Sequence, residues 1–194
     1  MNKQMYLVFL FFLLSLYYCS PTIDHPLANG NSDDKTTPET PEFFYGADLS
    51  YSNEMEDCGA VYKDASNNVK DVYKIFDDAG ANLARFRLWH NPTWTNYSNL
   101  EDVKQSIQRA KSNNMKVLLD FHYSDSWADP DSQEIPAAWL SQVNNTDALG
   151  QLLYDYTYNT LNELNTDELL PDIVQIGNEI NGNIVTQGNP FPID

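Results

Sequence analysis

The sequence predicts an α/β fold built on a parallel sheet, because short apolar runs alternate along the chain with segments of helical periodicity. The strand candidates cover residues 43–49, 82–89, 115–121 and 173–177. A helix candidate lies between each pair of successive strands, and every connection is long enough for a right-handed crossover. This order predicts a βαβαβαβ unit.

Each predicted helix has a start or stop signal of its own. Residues 69–79 carry apolar side chains at helical spacing, and Gly80 is placed to end that helix. Asn99 is the predicted N-cap of the second helix. Asp147 is the predicted N-cap of the third, which carries a leucine-rich face.

Two architectures share this order, an open doubly wound sheet and a closed eight-stranded barrel. The segment Gly46-Ala47-Asp48 after the first strand candidate does not match the glycine-rich phosphate turn of doubly wound folds. Polar side chains instead fall at or near the carboxyl ends of the strands, where barrel enzymes carry their chemistry. They are Asp48, Arg85, Arg87, His122, Asn178 and Glu179. The prediction is therefore about four βα units of a TIM (β/α)8 barrel, and because such a barrel needs roughly 250 residues, we expect its N-terminal half.

The first 42 residues are expected to lie outside that domain. Lys3 precedes an apolar run over residues 5–18, which is typical of a signal peptide spanning residues 1–19. Cys19 stands where a bacterial lipoprotein signal carries its lipid-accepting cysteine; a plain signal peptide with an incidental cysteine is the alternative. The proline-rich polar residues 20–42 predict a flexible tether, which leaves residues 43–194 for the catalytic domain.

The net charge restricts the class of partner. The chain has 28 acidic and 11 basic residues, a formal charge of −17, which argues against nucleic acid or an anionic membrane as ligand. Contact with a membrane is expected only through a lipid on Cys19. If that cysteine is modified, Cys58 has no disulfide partner, and we interpret it as a small structural residue.

Glu179 is the candidate for general acid and base. In strand phase it shares a face with Gln175 and Gly177, so it is expected to point into the barrel mouth, with space left below it by the glycine. Glycoside hydrolysis needs a carboxylic acid that protonates the leaving oxygen. An exposed carboxylate at the start of a helix is the alternative.

The second strand places Arg85 and Arg87 on one face, and charges inside a barrel imply acidic neighbours. Arg85 is expected to hold a catalytic carboxylate ionised and oriented. Arg87 fits a structural ion pair equally well.

The third strand ends at His122, close to Tyr123 and Trp127. This group suits a sugar pocket, with hydrogen bonds from the imidazole and stacking from the aromatic rings, although a lone histidine is more often a satisfied core group. A metal site made with Asp125 and Asp129 is disfavoured, because neither a zinc spacing nor a calcium loop is present. Either substrate stacking or loop anchoring would suit three other tryptophans, Trp89, Trp94 and Trp139.

Four segments together resemble glycoside hydrolase family 53, the endo-β-1,4-galactanases. They are GADLS at residues 46–50, RFRLWHNP at 85–92, LDFHYSDSWADP at 119–130 and VQIGNEI at 174–180. The similarity extends from about Tyr45 to Asn183, with the segments in the order and spacing of the family.

The resemblance implies a role for individual residues. Glu179 matches the acid/base of these retaining barrel hydrolases, and Asn178 matches the neighbour that contacts the sugar 2-hydroxyl. Arg85 matches the arginine that supports the nucleophile. Further residues fall in segments that line the cleft, namely Asp48, His122, Trp127 and Asp129.

The implied reaction is internal cleavage of the β-1,4-galactan of pectic side chains, with retention. From the residues themselves we expect no cofactor and no metal site. The complete enzyme is expected to be a monomer, either secreted or lipid-anchored at a bacterial cell surface. The family's nucleophile lies at the end of strand seven, so we expect these 194 residues alone to be inactive and poorly soluble. A non-catalytic carbohydrate-binding lipoprotein and a related hydrolase of another polysaccharide are the alternatives.

Overall fold

The computed structural model describes residues 43–186. The predicted signal peptide with Cys19 and the predicted tether, residues 20–42, lie outside the described residues. Four parallel strands form one sheet in chain order. They are β1 (Gly46–Asp48), β2 (Leu83–Leu88), β3 (Lys116–Phe121) and β4 (Ile173–Ile176). All four predicted strands are present, each somewhat shorter than its apolar run. This parallel order is the one that a barrel begins with.

The helices are α1 (Ser52–Asp57), α2 (Val72–Asp78), α3 (Leu100–Ser112) and α4 (Thr146–Thr166), with a 3-10 helix at Ala137–Gln142. Helix α1 and the 3-10 helix were not predicted, because both are too short to show a period. Among the described helices, none is long and apolar enough to cross a membrane.

The helix caps agree with the sequence in two cases and disagree in one. Asn99 caps α3, since its side chain accepts a hydrogen bond from the Asp102 N–H. Gly80 follows α2 with a φ of +91°, a conformation that suits glycine at a helix end. The N-cap predicted at Asp147 is wrong, because Asn145 accepts the hydrogen bond of the Ala148 N–H and Asp147 lies in the first turn.

The sheet separates an apolar face from a polar one. On β2 and β3 the buried residues Phe86 and Phe121 pack towards the helices, with ring contacts to Tyr73 of α2 and Tyr156 of α4. Towards the carboxyl ends of these strands the intervening positions carry charged side chains, those of Arg85, Arg87 and Asp120. Period-two alternation therefore holds the core on one side and gathers the polar groups on the other.

Cys58 is an exposed free cysteine at the C-cap of α1, where its backbone N–H donates to the Glu54 carbonyl, and its interpretation as a small structural residue stays a prediction.

Candidate active site

A cavity of about 480 Å³ opens at the carboxyl ends of the strands. Each of the four strand ends contributes to its wall, as expected where parallel strands share one edge. Its lining residues are Asp48, Tyr51, Arg85, Arg87, His122, Trp127, Asn178 and Glu179. All the predicted site residues of the described region are therefore brought together, except Asp129.

Arg85 is the residue that joins the four strand ends. Its Nη1 group contacts the carboxylate of Asp48, and its Nη2 group contacts Asp120 and, at 2.8 Å, the side-chain oxygen of Asn178. Its Nε donates to Gln175 at 3.3 Å. The acidic neighbours expected for Arg85 are thus Asp48 and Asp120. A planar guanidinium can satisfy this many acceptors in one plane, which an ammonium cannot.

The Asp48 carboxylate is kept ionised by its surroundings. Burial alone raises the pKa of Asp48, but hydrogen bonds from Ser50 and Arg85 outweigh it, and the pKa lies below its usual value of 3.8. The Ser50 N–H donates to Asp48 at 3.0 Å. Asp48 is therefore an anion that faces the cavity beside Arg85.

Both ring nitrogens of His122 are already engaged within the protein. Nδ1 accepts a hydrogen bond of 3.2 Å from the Ala128 N–H, so Nε2 carries the proton and faces the fully buried Asp120 at 3.1 Å. The expectation that the imidazole hydrogen-bonds a sugar is therefore wrong. His122 lines the cavity, and through Ala128 it holds the loop that follows β3.

Asn178 also forms hydrogen bonds to the loop that follows β3. Its Nδ2 donates to the Ala128 carbonyl at 2.7 Å, while its Oδ1 accepts from Arg85. The Asn178 backbone carbonyl accepts a hydrogen bond of 2.9 Å from Gln133. One of the two Nδ2 protons has no partner among the described residues, so it is available to a ligand hydroxyl.

Glu179 reaches the cavity by a route that strand alternation does not describe. Strand β4 ends at Ile176, after which Gly177 and Glu179 have φ values of +84° and +51°. An ideal Cβ on Gly177 would lie 2.6 Å from the Ile180 side chain, so the space beside the glycine belongs to Ile180. Glu179 is exposed and held in the left-handed region, a conformation found at functional sites more often than elsewhere.

Arg87 does not form the ion pair suggested for it, since no carboxylate of residues 43–186 lies within ion-pair distance. Its guanidinium carbon lies 4.2 Å from the Trp127 ring centre, 4.4 Å from Trp89 and 4.7 Å from Tyr51. Its Nε and Nη2 donate to the Ser98 hydroxyl. Burial lowers the pKa of Arg87.

The tryptophans divide by exposure. Trp127 is 43% exposed and forms one wall of the cavity. Trp89 and Trp139 are buried, which assigns them to loop anchoring. Trp94 is exposed, but its Nε1 donates to the Asp125 carbonyl and its ring lies 4.9 Å from Trp89.

Asp129 does not line the cavity. Its carboxylate accepts a hydrogen bond from the Asp131 N–H, and its backbone pairs with Ser132. Asp125 binds elsewhere, to His90 and to two backbone N–H groups. The acidic groups suggested for a metal site with His122 therefore have separate partners.

Two residues of the site are not among those that the sequence predicts, Tyr51 and Asp120. Tyr51 immediately precedes the unpredicted helix α1, and nothing in the sequence marks it. The sequence does mark Asp120, because it is the only charged residue in the otherwise apolar run VLLDF of β3. A carboxylate in a buried strand requires a partner, and here the partners are Arg85 and His122.

The model of the family described as "Glycosyl hydrolase family 53" matches residues 44–192, well over half of the chain. The chain belongs to glycosyl hydrolase family 53. The family 53 chain is 55% identical over 139 residues to an arabinogalactan endo-β-1,4-galactanase of Cellvibrio japonicus, and 35% identical over 148 residues to an endo-β-1,4-galactanase of Bacillus subtilis. These matches cover 72% and 73% of the chain but 36% and 34% of the relatives, so it spans about a third of their length.

Solved structures agree with the family assignment. A fungal β-1,4-galactanase structure matches 77% of the family 53 chain with a TM-score of 0.71 and 37% identity, and the match covers 44% of that structure. A family 53 catalytic domain of Ignisphaera aggregans matches 76% of the chain with a TM-score of 0.67, 34% identity and 43% coverage of that domain. The predicted fold, the N-terminal half of a (β/α)8 barrel, is confirmed.

Proposed function

We propose that the natural protein carrying this sequence hydrolyses β-1,4-galactan internally, with retention of configuration. The observation that carries the proposal is the shared cavity, in which Glu179 lies with Arg85, Asn178 and an exposed tryptophan. The relatives named galactanases support the choice of substrate. A neutral polymer also suits a chain with a net charge of −17.

Glu179 is assigned the two proton transfers of the reaction. It first donates its proton to the glycosidic oxygen as the bond from that oxygen to the anomeric carbon breaks. A second carboxylate attacks the anomeric carbon and forms a glycosyl ester. Glu179 then takes a proton from water, which attacks the same carbon and displaces the carboxylate, so the configuration is retained overall.

The second carboxylate is assigned to the end of a seventh strand, beyond the four described here. Retaining enzymes hold their two carboxyl groups about 5–5.5 Å apart. We assign Arg85 to orienting that carboxylate, and the support is that its guanidinium lines the cavity beside Asn178. The side chain of Asp48 is paired with Arg85 and is assigned to substrate binding rather than to bond formation.

The neighbouring side chains are assigned to substrate binding. Asn178 keeps one free Nδ2 proton for the sugar 2-hydroxyl, and Trp127 provides an exposed ring on which a sugar can stack. His122 acts through Ala128 and does not contact the sugar through a ring nitrogen. Asp129 does not line the cavity, and we assign it a structural role in the loop that carries Trp127.

We further propose that the protein works outside the cytoplasm, secreted or attached to the cell surface by a lipid on Cys19. The basis is the signal-like pattern of residues 1–19, which lie outside the described part of the chain. Growth with labelled palmitate and a Cys19→Ala control would test the lipid directly. We expect that the enzyme needs no cofactor. We also expect the complete enzyme to be a monomer.

The decisive test is Glu179→Gln in the natural protein. General acid–base catalysis is commonly worth about 10²–10⁴-fold, so kcat/KM on galactan should fall by that order. Galactosides with good leaving groups need less proton donation and should lose much less on the bond-breaking step. The control is Glu101→Gln on the exposed surface of α3, which should leave activity unchanged. Near-normal galactan cleavage by Glu179→Gln would refute the assignment.

The same assay separates the alternative functions. Activity on galactan together with inactivity on mannan and xylan supports the proposal. Cleavage of mannan or xylan instead would indicate another hydrolase specificity. Binding of galactan without cleavage by the parent protein would indicate a carbohydrate-binding role.

A further inference from the structure

We propose that Arg87 is a positioning residue that holds the Trp127 indole as the sugar-stacking wall of the cavity and thereby sets substrate affinity. The inference rests on the proposed galactan-degrading function. It goes beyond that function by assigning a purpose to a buried cation that the proton transfers do not use.

Arg87 differs from its strand neighbour Arg85 in what balances its charge. Arg85 contacts two carboxylates, those of Asp48 and Asp120. Arg87 is only 3% exposed, and its guanidinium contacts three aromatic rings and the Ser98 hydroxyl, whereas the Asp48 carboxylate attracts it only from beyond ion-pair distance. A desolvated guanidinium is attracted strongly to the faces of such rings. Among residues 43–186, the groups in direct contact with the Arg87 guanidinium are therefore rings and a hydroxyl, and none of them is a carboxylate.

The three rings come from separate parts of the chain. Tyr51 follows β1, Trp89 follows β2 and Trp127 lies in the loop after β3. The guanidinium carbon lies between 4.2 and 4.7 Å from all three ring centres. Arg87 thus lies between three separate loops, of which those after β2 and β3 are also joined by a backbone hydrogen bond of 2.8 Å from the His90 N–H to the Ser124 carbonyl.

Trp127 depends on these contacts for its orientation. Its Nε1 has no hydrogen-bond partner among residues 43–186, and 43% of the residue is exposed. Its ring meets Trp89 at 5.6 Å with an interplanar angle of 78°, so Trp89 contacts it edge to face. Arg87 lies over the ring itself, at 4.2 Å from its centre. Its other ring neighbours are His122 at 5.8 Å and Tyr51 at 6.3 Å. Because Arg87 is the group that lies nearest to the ring centre, we expect its removal to leave a gap into which the indole rotates.

Ser98 fixes the guanidinium in turn. Its hydroxyl lies 3.2 Å from Nε and 3.0 Å from Nη2 of Arg87, so the planar group is held along one edge. Ser98 itself is buried and donates its backbone N–H to Asp102 of α3. Lysine lacks both the plane and the paired donors, so it cannot reproduce this arrangement.

The ligand that such a wall selects is a pyranose with an apolar face. In a β-galactopyranosyl unit the hydrogens on C3, C4 and C5 lie on one side of the ring, and they can pack on an indole face. Stacking of this kind acts on the bound substrate throughout the reaction, and uniform binding changes KM more than kcat. Disturbing Arg87 should therefore weaken binding without slowing the chemical step.

The experiment is a double-mutant cycle in the natural protein with Arg87→Met and Trp127→Ala. We expect each single variant to raise KM for galactan by about tenfold while kcat stays within about twofold. The double variant should be no worse than Trp127→Ala alone, because Arg87 acts through that ring. Arg87→Lys should resemble Arg87→Met and should not restore the parental KM.

The control is Arg109→Met, since Arg109 also lies over a ring, 4.5 Å from the centre of Tyr73, but on α3 outside the cavity. It should lower the melting temperature without changing KM. Additive effects of Arg87→Met and Trp127→Ala, a loss confined to kcat, or full rescue by lysine would each overturn the proposal. If Arg87→Met does not fold, the cycle is run with Arg87→Lys.

A spectroscopic measurement separates this inference from the proposed function. Loss of a fixed Trp127 environment should reduce the near-UV circular dichroism of Arg87→Met in the absence of any sugar. Unchanged near-UV spectra would overturn the positioning role even in an active protein. A parent protein that neither binds nor cleaves galactan would overturn the proposed function, while the spectra would still decide whether Arg87 orders Trp127.

Discussion

The side-chain amide of Asn178 donates a hydrogen bond of 2.7 Å to the carbonyl oxygen of Ala128, and this contact closes a ring of hydrogen bonds across the site. Starting from Asp120, the ring runs through Arg85 to Asn178, and from Ala128 through His122 back to Asp120. Strand β4 is thereby tied to the loop after β3. The segment that carries the proposed acid/base and the loop that carries the stacking tryptophan are held in one network.

The two nitrogens of His122 can be tested separately. His122→Asn keeps an acceptor near Nδ1 for Ala128 but removes the donor that faces buried Asp120, so the free energy of unfolding should fall by about 1–3 kcal/mol. His122→Gln keeps a donor for Asp120 but releases the Ala128 N–H, so KM for galactan should rise with a smaller loss, about 0.5–1.5 kcal/mol. Chemical denaturation and steady-state kinetics measure both. Identical effects of the two variants would contradict this division of roles.

Arg85→Lys should be damaging although it keeps the positive charge. A single ammonium cannot reach Asp48, Asp120 and Asn178 from one position, so at least one of these acceptors loses its donor, and Asp120 is fully buried. The free energy of unfolding should fall by about 1–3 kcal/mol, and kcat should fall because the nucleophile loses its support. The same substitution at Arg109, at the helix interface, is the control and should leave kcat intact. Retention of parental kcat in Arg85→Lys would refute the role.

The strands and the polar edge could be predicted because both follow from short-range rules. Period-two alternation placed Arg85 and Arg87 on one face, and parallel strands bring their carboxyl ends to one edge. The position of Glu179 was predicted correctly for the wrong reason. Strand alternation stops at Ile176, and two residues with positive φ carry the chain into the cavity. The family resemblance, and not the strand phase, was the sound basis.

The partners of each polar group could not be predicted, because they depend on contacts between distant segments. Arg85 and Asn178 are 93 positions apart in sequence, and only the packed sheet brings them within 2.8 Å. For the same reason Arg87 was considered for an ion pair, whereas its neighbours are rings from three loops. For His122 the commoner role of a histidine, a group whose hydrogen bonds are satisfied within the protein, is among the sequence-based alternatives. It describes both ring nitrogens, which contact Ala128 and Asp120.

Below neutral pH, His90 should reduce stability. Burial lowers the pKa of His90 below 6.5, and the nearby Asp125, which favours the charged form, offsets this only in part. The unfolded chain therefore takes up the proton first as pH falls. The contribution of neutral, buried His90 to the free energy of unfolding is fully present above about pH 6.5. It is lost as pH falls from there through the lower pKa that His90 has in the folded protein.

The melting temperature of the natural protein should therefore decrease from about pH 7 to pH 5, and His90→Gln should make that decrease smaller. The imidazole faces Asp125 and the rings of Trp139 and Tyr156, so no second cation shares its environment among the described residues. His25→Gln, in the predicted tether, is the matched control and should leave the pH dependence unchanged. Equal slopes in the parent and His90→Gln proteins would contradict the prediction.

Gly177→Ala should disturb the backbone turn that carries the proposed acid/base, Glu179. The substitution adds a Cβ 2.6 Å from the Ile180 side chain and places alanine at a φ of +84°, so the free energy of unfolding should fall by about 1–3 kcal/mol. Because Gly177 precedes Asn178 and Glu179, kcat should fall as well. Gly150→Ala is the control, since a Cβ there meets nothing within 4 Å and its place in α4 favours alanine.

The Gly177→Ala variant would be strained both by the contact of its new Cβ with Ile180 and by its positive φ. The two causes can be separated by combining Gly177→Ala with Ile180→Ala. That change removes the side chain that the new Cβ would meet, but it leaves the positive φ as it is. If the contact dominates, the double variant recovers stability and kcat relative to Gly177→Ala. If the backbone conformation dominates, it recovers neither. We expect partial recovery of stability with little recovery of kcat, because the direction of Glu179 follows from the backbone turn and not from the space beside it.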